Sequence, residues 1–182
     1  MLTQVQIDNI DRVFAVLDLD GNNEITWDDF ETVTAGQAKE AGLTVDAPEA
    51  QALLAAYRKV WDYVREVADT DNSGGVVKSE FRAGYSTQRL SGPELLDLWA
   101  EVANRCFELA DRDGDGHLTA EEFGAIYRGA GIADPEVAET AFAEADTDSD
   151  HRLDKDEFVA NVRGIFTATE DAMKGSRMLR GR

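Results

Sequence analysis

The sequence predicts an all-α fold built from four helix–loop–helix units paired into two lobes. Three observations predict it. Four twelve-residue segments align without gaps: DLDGNNEITWDD (18–29), DTDNSGGVVKSE (69–80), DRDGDGHLTAEE (111–122) and DTDSDHRLDKDE (146–157). Each carries an aliphatic residue at its eighth place (Ile25, Val76, Leu118, Leu153), and each is followed directly by Phe (Phe30, Phe81, Phe123, Phe158). Apolar residues precede each segment at helical spacing. Self-similarity of this kind marks a repeated supersecondary unit.

The elements follow in order. Thr3 and Gln6 have the spacing of a capping box and open the first helix. Its apolar face is Ile10, Val13, Phe14 and Leu17, which recur at the 3.6-residue period. Loop starts are 51, 42 and 35 residues apart. The first gap leaves room for an inserted segment, Ala35 to Val45, before a long helix from about Ala47 to Ala68. That helix brings Trp61, Val64, Arg65 and Ala68 to loop 2, so Arg65 stands where the other units have Phe. Ala103, Cys106, Phe107 and Ala110 precede loop 3, and Ala138, Ala141, Phe142 and Ala145 precede loop 4. All three prolines, Pro48, Pro93 and Pro135, fall in the opening turn of an incoming helix, where the missing N–H is no loss. Within the loops, Thr119 with Glu122 and Asp154 with Glu157 repeat the box spacing and cap the exit helix. Trp61 and Trp99 are expected in cores or between lobes, and Trp27 lies within loop 1.

One helix–loop–helix unit cannot bury its own apolar face. Residues 1–86, with loops 1 and 2, are therefore expected to form one pair. Residues 93–165, with loops 3 and 4, form the other, and the joint falls near Tyr85 to Gly92. The linker Tyr127 to Asp134 is short, as two adjacent units require. Residues 166–182 form a basic tail with Met173, Lys174, Arg177, Met178, Leu179, Arg180 and Arg182. Its two readings are a free terminus and a plug lying back over an apolar groove.

The loops have the chemistry of a hard-cation site. Ca²⁺ takes ~6–8 oxygen ligands at ~2.3–2.6 Å. Side chains at positions one, three and five point oxygens inward, position seven offers its backbone carbonyl, and position twelve closes the shell with a carboxylate. The expected metal residues are Asp18, Asp20, Asn22, Glu24 and Asp29 in loop 1, and Asp69, Asp71, Ser73, Gly75 and Glu80 in loop 2. In loop 3 they are Asp111, Asp113, Asp115, His117 and Glu122. In loop 4 they are Asp146, Asp148, Asp150, Arg152 and Glu157. Asp and Asn also favour turns and helix caps with no metal present, so one such loop says little. Four, each with the same aliphatic, the same Phe and flanking helices, specify EF-hands.

The loops differ from one another. Loop 3 fits the pattern at every specified place. Loop 4 has His151 at position six, where φ > 0 is needed and a non-glycine residue costs ~1 kcal/mol. Loop 1 has Asn23 there, which tolerates φ > 0 better, and ends in Asp29, one methylene shorter than Glu. That shortening favours a smaller shell, and Mg²⁺ competes there. Loop 2 has Ser73 at position five and Val77 at position nine and supplies the least charge. The expected order of occupancy is loops 3, 4, 1, 2, with three to four Ca²⁺ per chain.

Asp and Glu total 37 against 18 Lys and Arg, a net charge of −19. That field repels nucleic acid and anionic membrane and attracts cations. No apolar run reaches the ~18 residues of a membrane span, and no signal peptide is visible. Cys106 is the single cysteine, so no intrachain disulfide forms. The expectation is a cytoplasmic monomer; the 13 Arg against 5 Lys hint at a GC-rich, bacterial genome. No enzyme is expected, because no nucleophile–base set occurs and both histidines, His117 and His151, lie inside the loops. Two functions remain: a calcium buffer or transporter, and a sensor that changes conformation and engages a dedicated protein partner. Promiscuous sensors use Met-rich grooves. Met1, Met173 and Met178 all lie outside the helices that flank the loops.

The layout resembles the calerythrin and sarcoplasmic calcium-binding protein family over nearly the whole chain. The resemblance is most specific in loop 1, Asp18-x-Asp20-Gly21-Asn22 ending in Asp29-Phe30, and in the long gap between loops 1 and 2. It implies one compact globule with both lobes packed together, and calcium buffering. It also implies a degenerate second site, although Asp69, Asp71 and Glu80 are kept here.

Overall fold

The computed structural model describes residues 3–167, with side chains up to Gly164. Its helices are α1 (Gln4–Leu17), α2 (Trp27–Glu40), α3 (Pro48–Ala68), α4 (Lys78–Ser86), α5 (Pro93–Ala110), α6 (Ala120–Gly129), α7 (Pro135–Ala145) and α8 (Lys155–Thr167). Four two-residue strands alternate with them: β1 (Glu24–Ile25), β2 (Val76–Val77), β3 (His117–Leu118) and β4 (Leu153–Asp154). The fold is all-α, with a loop between each of the helix pairs α1/α2, α3/α4, α5/α6 and α7/α8. Residues 168–182, and with them all but the first two residues of the basic tail, lie outside the described residues; residues 166 and 167 end α8.

The helices start where local chemistry starts them. Thr3 Oγ1 accepts from the Gln6 N–H at 3.2 Å, and Gln6 Oε1 accepts from the Thr3 N–H at 2.9 Å. Pro48, Pro93 and Pro135 each sit at the first turn of their helix. Asp134 caps α7 by accepting from the Glu136 N–H at 3.0 Å.

The eighth-position aliphatics tie the loops together. β1 pairs antiparallel with β2, Ile25 opposite Val76, and β3 with β4, Leu118 opposite Leu153. All four side chains are fully buried. Each strand pair thus drops two apolar groups into the core directly beneath two loops. The phenylalanines that follow the loops join them: Phe14 meets Phe81 edge to face at 5.7 Å, and Phe123 meets Phe142 at 5.7 Å and Phe158 at 6.1 Å. Arg65 is exposed. In the same half, Phe30 packs on Tyr57 and Trp61 at 5.5 and 5.7 Å.

One buried cluster runs through both halves. α3 lies on α5, where Tyr57 meets Trp99 at 6.4 Å and Lys59 reaches Glu101 at 2.7 Å. α2 lies on α6. Gly36 and Gly129 let those two backbones touch, because a Cβ on Gly36 would overlap the Gly129 carbonyl and one on Gly129 would come within 2.6 Å of the Gln37 Cα. Arg128 of α6 donates to Glu40 of α2 at 2.7 Å. The segment Ala35–Val45, expected as an insert, is therefore mostly the end of α2, and its helical part is the contact face to α6. The joint between α4 and α5 is anchored by Leu90, fully buried against Gly84.

Candidate metal centres

Each loop folds around its own first residue. Asp18 Oδ1 accepts from the Asn22 N–H and Oδ2 from the Asn23 N–H, both at 3.0 Å. Asp69 does the same with Ser73 and Gly74, Asp111 with Asp115 and Gly116, and Asp146 with Asp150 and His151, all between 3.0 and 3.2 Å. The third-position carboxylates of Asp20, Asp71, Asp113 and Asp148 accept the fifth-position N–H at 3.0 to 3.2 Å. The fifth residues in turn accept the seventh N–H: Asn22 from Glu24 at 2.8 Å, Ser73 from Gly75 at 3.4 Å, Asp115 from His117 at 2.9 Å and Asp150 from Arg152 at 2.8 Å.

Position twelve closes the ring. Glu80, Glu122 and Glu157 each accept the second-position N–H with Oε1, from Thr70, Arg112 and Thr147, at 2.9, 3.0 and 2.8 Å. Their Oε2 atoms accept the ninth-position N–H of Val77, Thr119 and Asp154 at 3.2, 2.9 and 3.3 Å. Asp29 makes both contacts with its shorter side chain, to Leu19 at 3.0 Å and Thr26 at 2.8 Å. Burial pushes the Glu80 and Glu122 carboxyls up. The hydrogen bonds from Thr70 and Val77 to Glu80, and from Thr119 and Arg112 to Glu122, outweigh it and hold both below the usual carboxylate range.

The donor set fits a hard divalent cation. Asp18, Asp20 and Asp29 bring carboxylate oxygens within 4.8 Å of one another; so do Asp69, Asp71 and Glu80, then Asp111, Asp113 and Glu122, then Asp146, Asp148 and Glu157. Oxygens that close can share one centre at about 2.3–2.6 Å. Three like charges so placed repel unless a cation offsets them. Asp115 and Asp150 stand outside these triplets, as do the neutral Asn22 and Ser73. The seventh residues Glu24, Gly75, His117 and Arg152 lie in or beside the strand pairs, not in the carboxylate triplets.

Backbone strain falls at two places per loop. Position six has φ between 66° and 94° at Asn23, Gly74, Gly116 and His151. Position four has φ between 57° and 71° at Gly21, Asn72, Gly114 and Ser149. The sequence reading missed the second place. The small or amide residues at 21, 72, 114 and 149 were its signal.

Cys106 is a buried free thiol, and burial pushes its pKa up to about 12. An apolar pocket of about 130 Å³ lies between the two halves, lined by Val13, Val33, Trp99, Ile126 and Val162 among others. No helix among the described residues is long and apolar enough to cross a membrane.

Residues 100–163 match the family model described as an EF-hand domain pair, and residues 10–34 match one described as an EF hand. Loop 2, with its departures at positions five and nine, lies in neither span. No curated protein matches the chain. Among solved structures, a calcium-binding protein from Streptomyces coelicolor is 26% identical with a TM-score of 0.79, covering 89% of this chain and 98% of its own. Calcium-loaded apo-aequorin from Aequorea victoria is 22% identical with a TM-score of 0.72, over 93% and 94% of the two chains. A sarcoplasmic calcium-binding protein from amphioxus is 18% identical with a TM-score of 0.72, over the full length of both.

Proposed function

We propose that this chain is a calcium-binding protein of four EF-hands, of the sarcoplasmic calcium-binding protein kind, and that its role is that of a calcium buffer. Residues 1–86 and 93–165 serve as the two EF-hand pairs. All four loops take part, through the ligand residues named from the sequence, and three to four Ca²⁺ bind per chain. The protein acts as a monomer in the cytoplasm.

The observation that carries this reading is the placement of the apolar helix faces. The faces of α2, α3, α5 and α6 pack largely on one another across the centre of the molecule, around one apolar pocket. Among the described residues the only exposed large hydrophobics are Val45 and Val77, one in the α2–α3 connection and one in loop 2. A sensor needs a groove to offer after binding; a buffer needs to bind without becoming adhesive. Calorimetric titration with calcium, repeated in magnesium, tests the proposal. Three to four calcium ions per chain support it, and two or fewer overturn the four-site reading.

The sensor reading has one observation in its favour. A partly open apolar pocket lies between the halves, and the Streptomyces coelicolor protein is described in terms of calcium-mediated regulation. Dye binding on calcium addition separates the two readings.

A further inference from the structure

The two strand pairs carry opposite charges across their centres. In the second pair, Arg152 at position seven of loop 4 reaches out of its own loop. Its Nη1 donates to Asp115 Oδ2, at position five of loop 3, at 3.1 Å. In the first pair, the corresponding residue of loop 1 is Glu24. Its side chain lies flat over Gly75 of loop 2, so closely that a methyl group on Gly75 would overlap the carboxylate. Both reaches go from the seventh position of one loop to the centre of its partner.

The charges that cross are not arbitrary. At positions one, three, five and twelve, loop 3 has four carboxylates (Asp111, Asp113, Asp115, Glu122) and loop 2 has three (Asp69, Asp71, Glu80) with the neutral Ser73 between. The cation is delivered to the carboxylate-rich loop and the anion to the carboxylate-poor one. The Asp115 oxygen that Arg152 holds is the one left free after Oδ1 has accepted the His117 N–H. A cation on that oxygen lowers the negative potential of the loop, and the Glu24 carboxylate over Gly75 deepens that of loop 2.

Resting on the proposed cation binding, we infer that these crossing side chains tune the neighbouring site: Arg152 weakens cation binding at loop 3, and Glu24 strengthens it at loop 2. The effect is between paired loops and leaves in place the backbone carbonyls of Glu24 and Arg152, the groups by which position seven is expected to bind. Both side chains are partly solvated, so the expected shifts are modest, about three- to tenfold in midpoint, and shrink as salt rises.

The test uses the full chain, with the loop glycine amides as site reporters in proton–nitrogen correlation spectra during a calcium titration. The Gly116 N–H donates to Asp111 and reports loop 3; the Gly74 N–H donates to Asp69 and reports loop 2. Arg152→Gln is expected to move the Gly116 midpoint to three- to tenfold lower calcium, and Arg152→Lys to leave it near the wild-type value. Glu24→Gln is expected to move the Gly74 midpoint to higher calcium by a similar factor. Unfolding of metal-free Arg152→Gln is read in parallel. A merely structural arginine, once removed, would lower stability and calcium affinity together, and that result overturns the inference. A Gly116 midpoint that stays put or moves to higher calcium also overturns it, and an unmoved Gly74 midpoint overturns its loop 2 half. A wild-type Gly116 amide silent to calcium is a different failure, that of the calcium reading of loop 3 itself.

Discussion

Asp29 and Leu19 are joined across loop 1 by a 3.0 Å hydrogen bond from the Leu19 N–H to Asp29 Oδ1. The other three loops make this bond with a glutamate. The aspartate therefore spans the same ring while one methylene short, and it is buried where it does so. Both its oxygens face the loop, one toward position two and one toward position nine.

A tighter ring favours a smaller ion, since Mg²⁺ takes oxygens at about 2.0–2.1 Å and Ca²⁺ at about 2.3–2.6 Å. Asp29→Glu is predicted to raise the calcium-over-magnesium preference of loop 1 by about tenfold or more. Competition calorimetry, calcium titrated with and without millimolar magnesium, checks it. An unchanged preference would mean that the ring size of loop 1 is set elsewhere.

His151 has φ of 66° at the sixth place of loop 4. His151→Gly is predicted to stabilise the protein by up to about 1 kcal/mol, because the strain of a left-handed side chain is relieved. Asn23→Gly should give less, since Asn already tolerates that region. Thermal melts of the two variants in chelator and in calcium give the comparison. A lower melting temperature for His151→Gly would assign a packing role to the imidazole.

The Gly36–Gly129 contact joins the halves through backbone. Gly129→Ala is predicted to destabilise by about 1–3 kcal/mol, as overpacking does, because Gln37 backbone atoms stand where the methyl would go. Denaturant unfolding measures it. Gly124→Ala, where the nearest atom is the flexible Arg128 guanidinium at 3.3 Å, is the matched control and should be close to neutral.

Calcium is predicted to raise stability by mass action, about 2.7 kcal/mol per site at free calcium 100-fold above its Kd. The carboxylate triplets repel one another without it. Glu122→Gln should abolish the stabilisation from loop 3 and reduce that from loop 4, which shares its strand pair. A melting temperature indifferent to chelator would contradict this.

The parts of the fold that depend on nearby residues were legible in the sequence. Thr3 with Gln6, the three prolines, the aliphatics Ile25, Val76, Leu118 and Leu153, and the four loops all act within a dozen residues or through one strand contact. What escaped is long-range. Nothing local marks Gly36 and Gly129 as partners, because each is an ordinary glycine until the two helices meet. Ala35–Val45 reads as an insert for the same reason: its helical half is specified by α6. The reach of Arg152 to Asp115 crosses 37 residues, and the sequence assigned Arg152 only a backbone carbonyl. The division at residues 86 and 93 and the role of the tail rest on the sequence alone.

The central claim is that four EF-hands bind calcium while the apolar faces of their helices stay against one another. The most direct measurement is fluorescence of an apolar dye as calcium is titrated into the chelated full-length protein. Dye fluorescence is expected to stay flat or fall through saturation. A large rise that follows calcium occupancy would contradict it and make the protein a sensor.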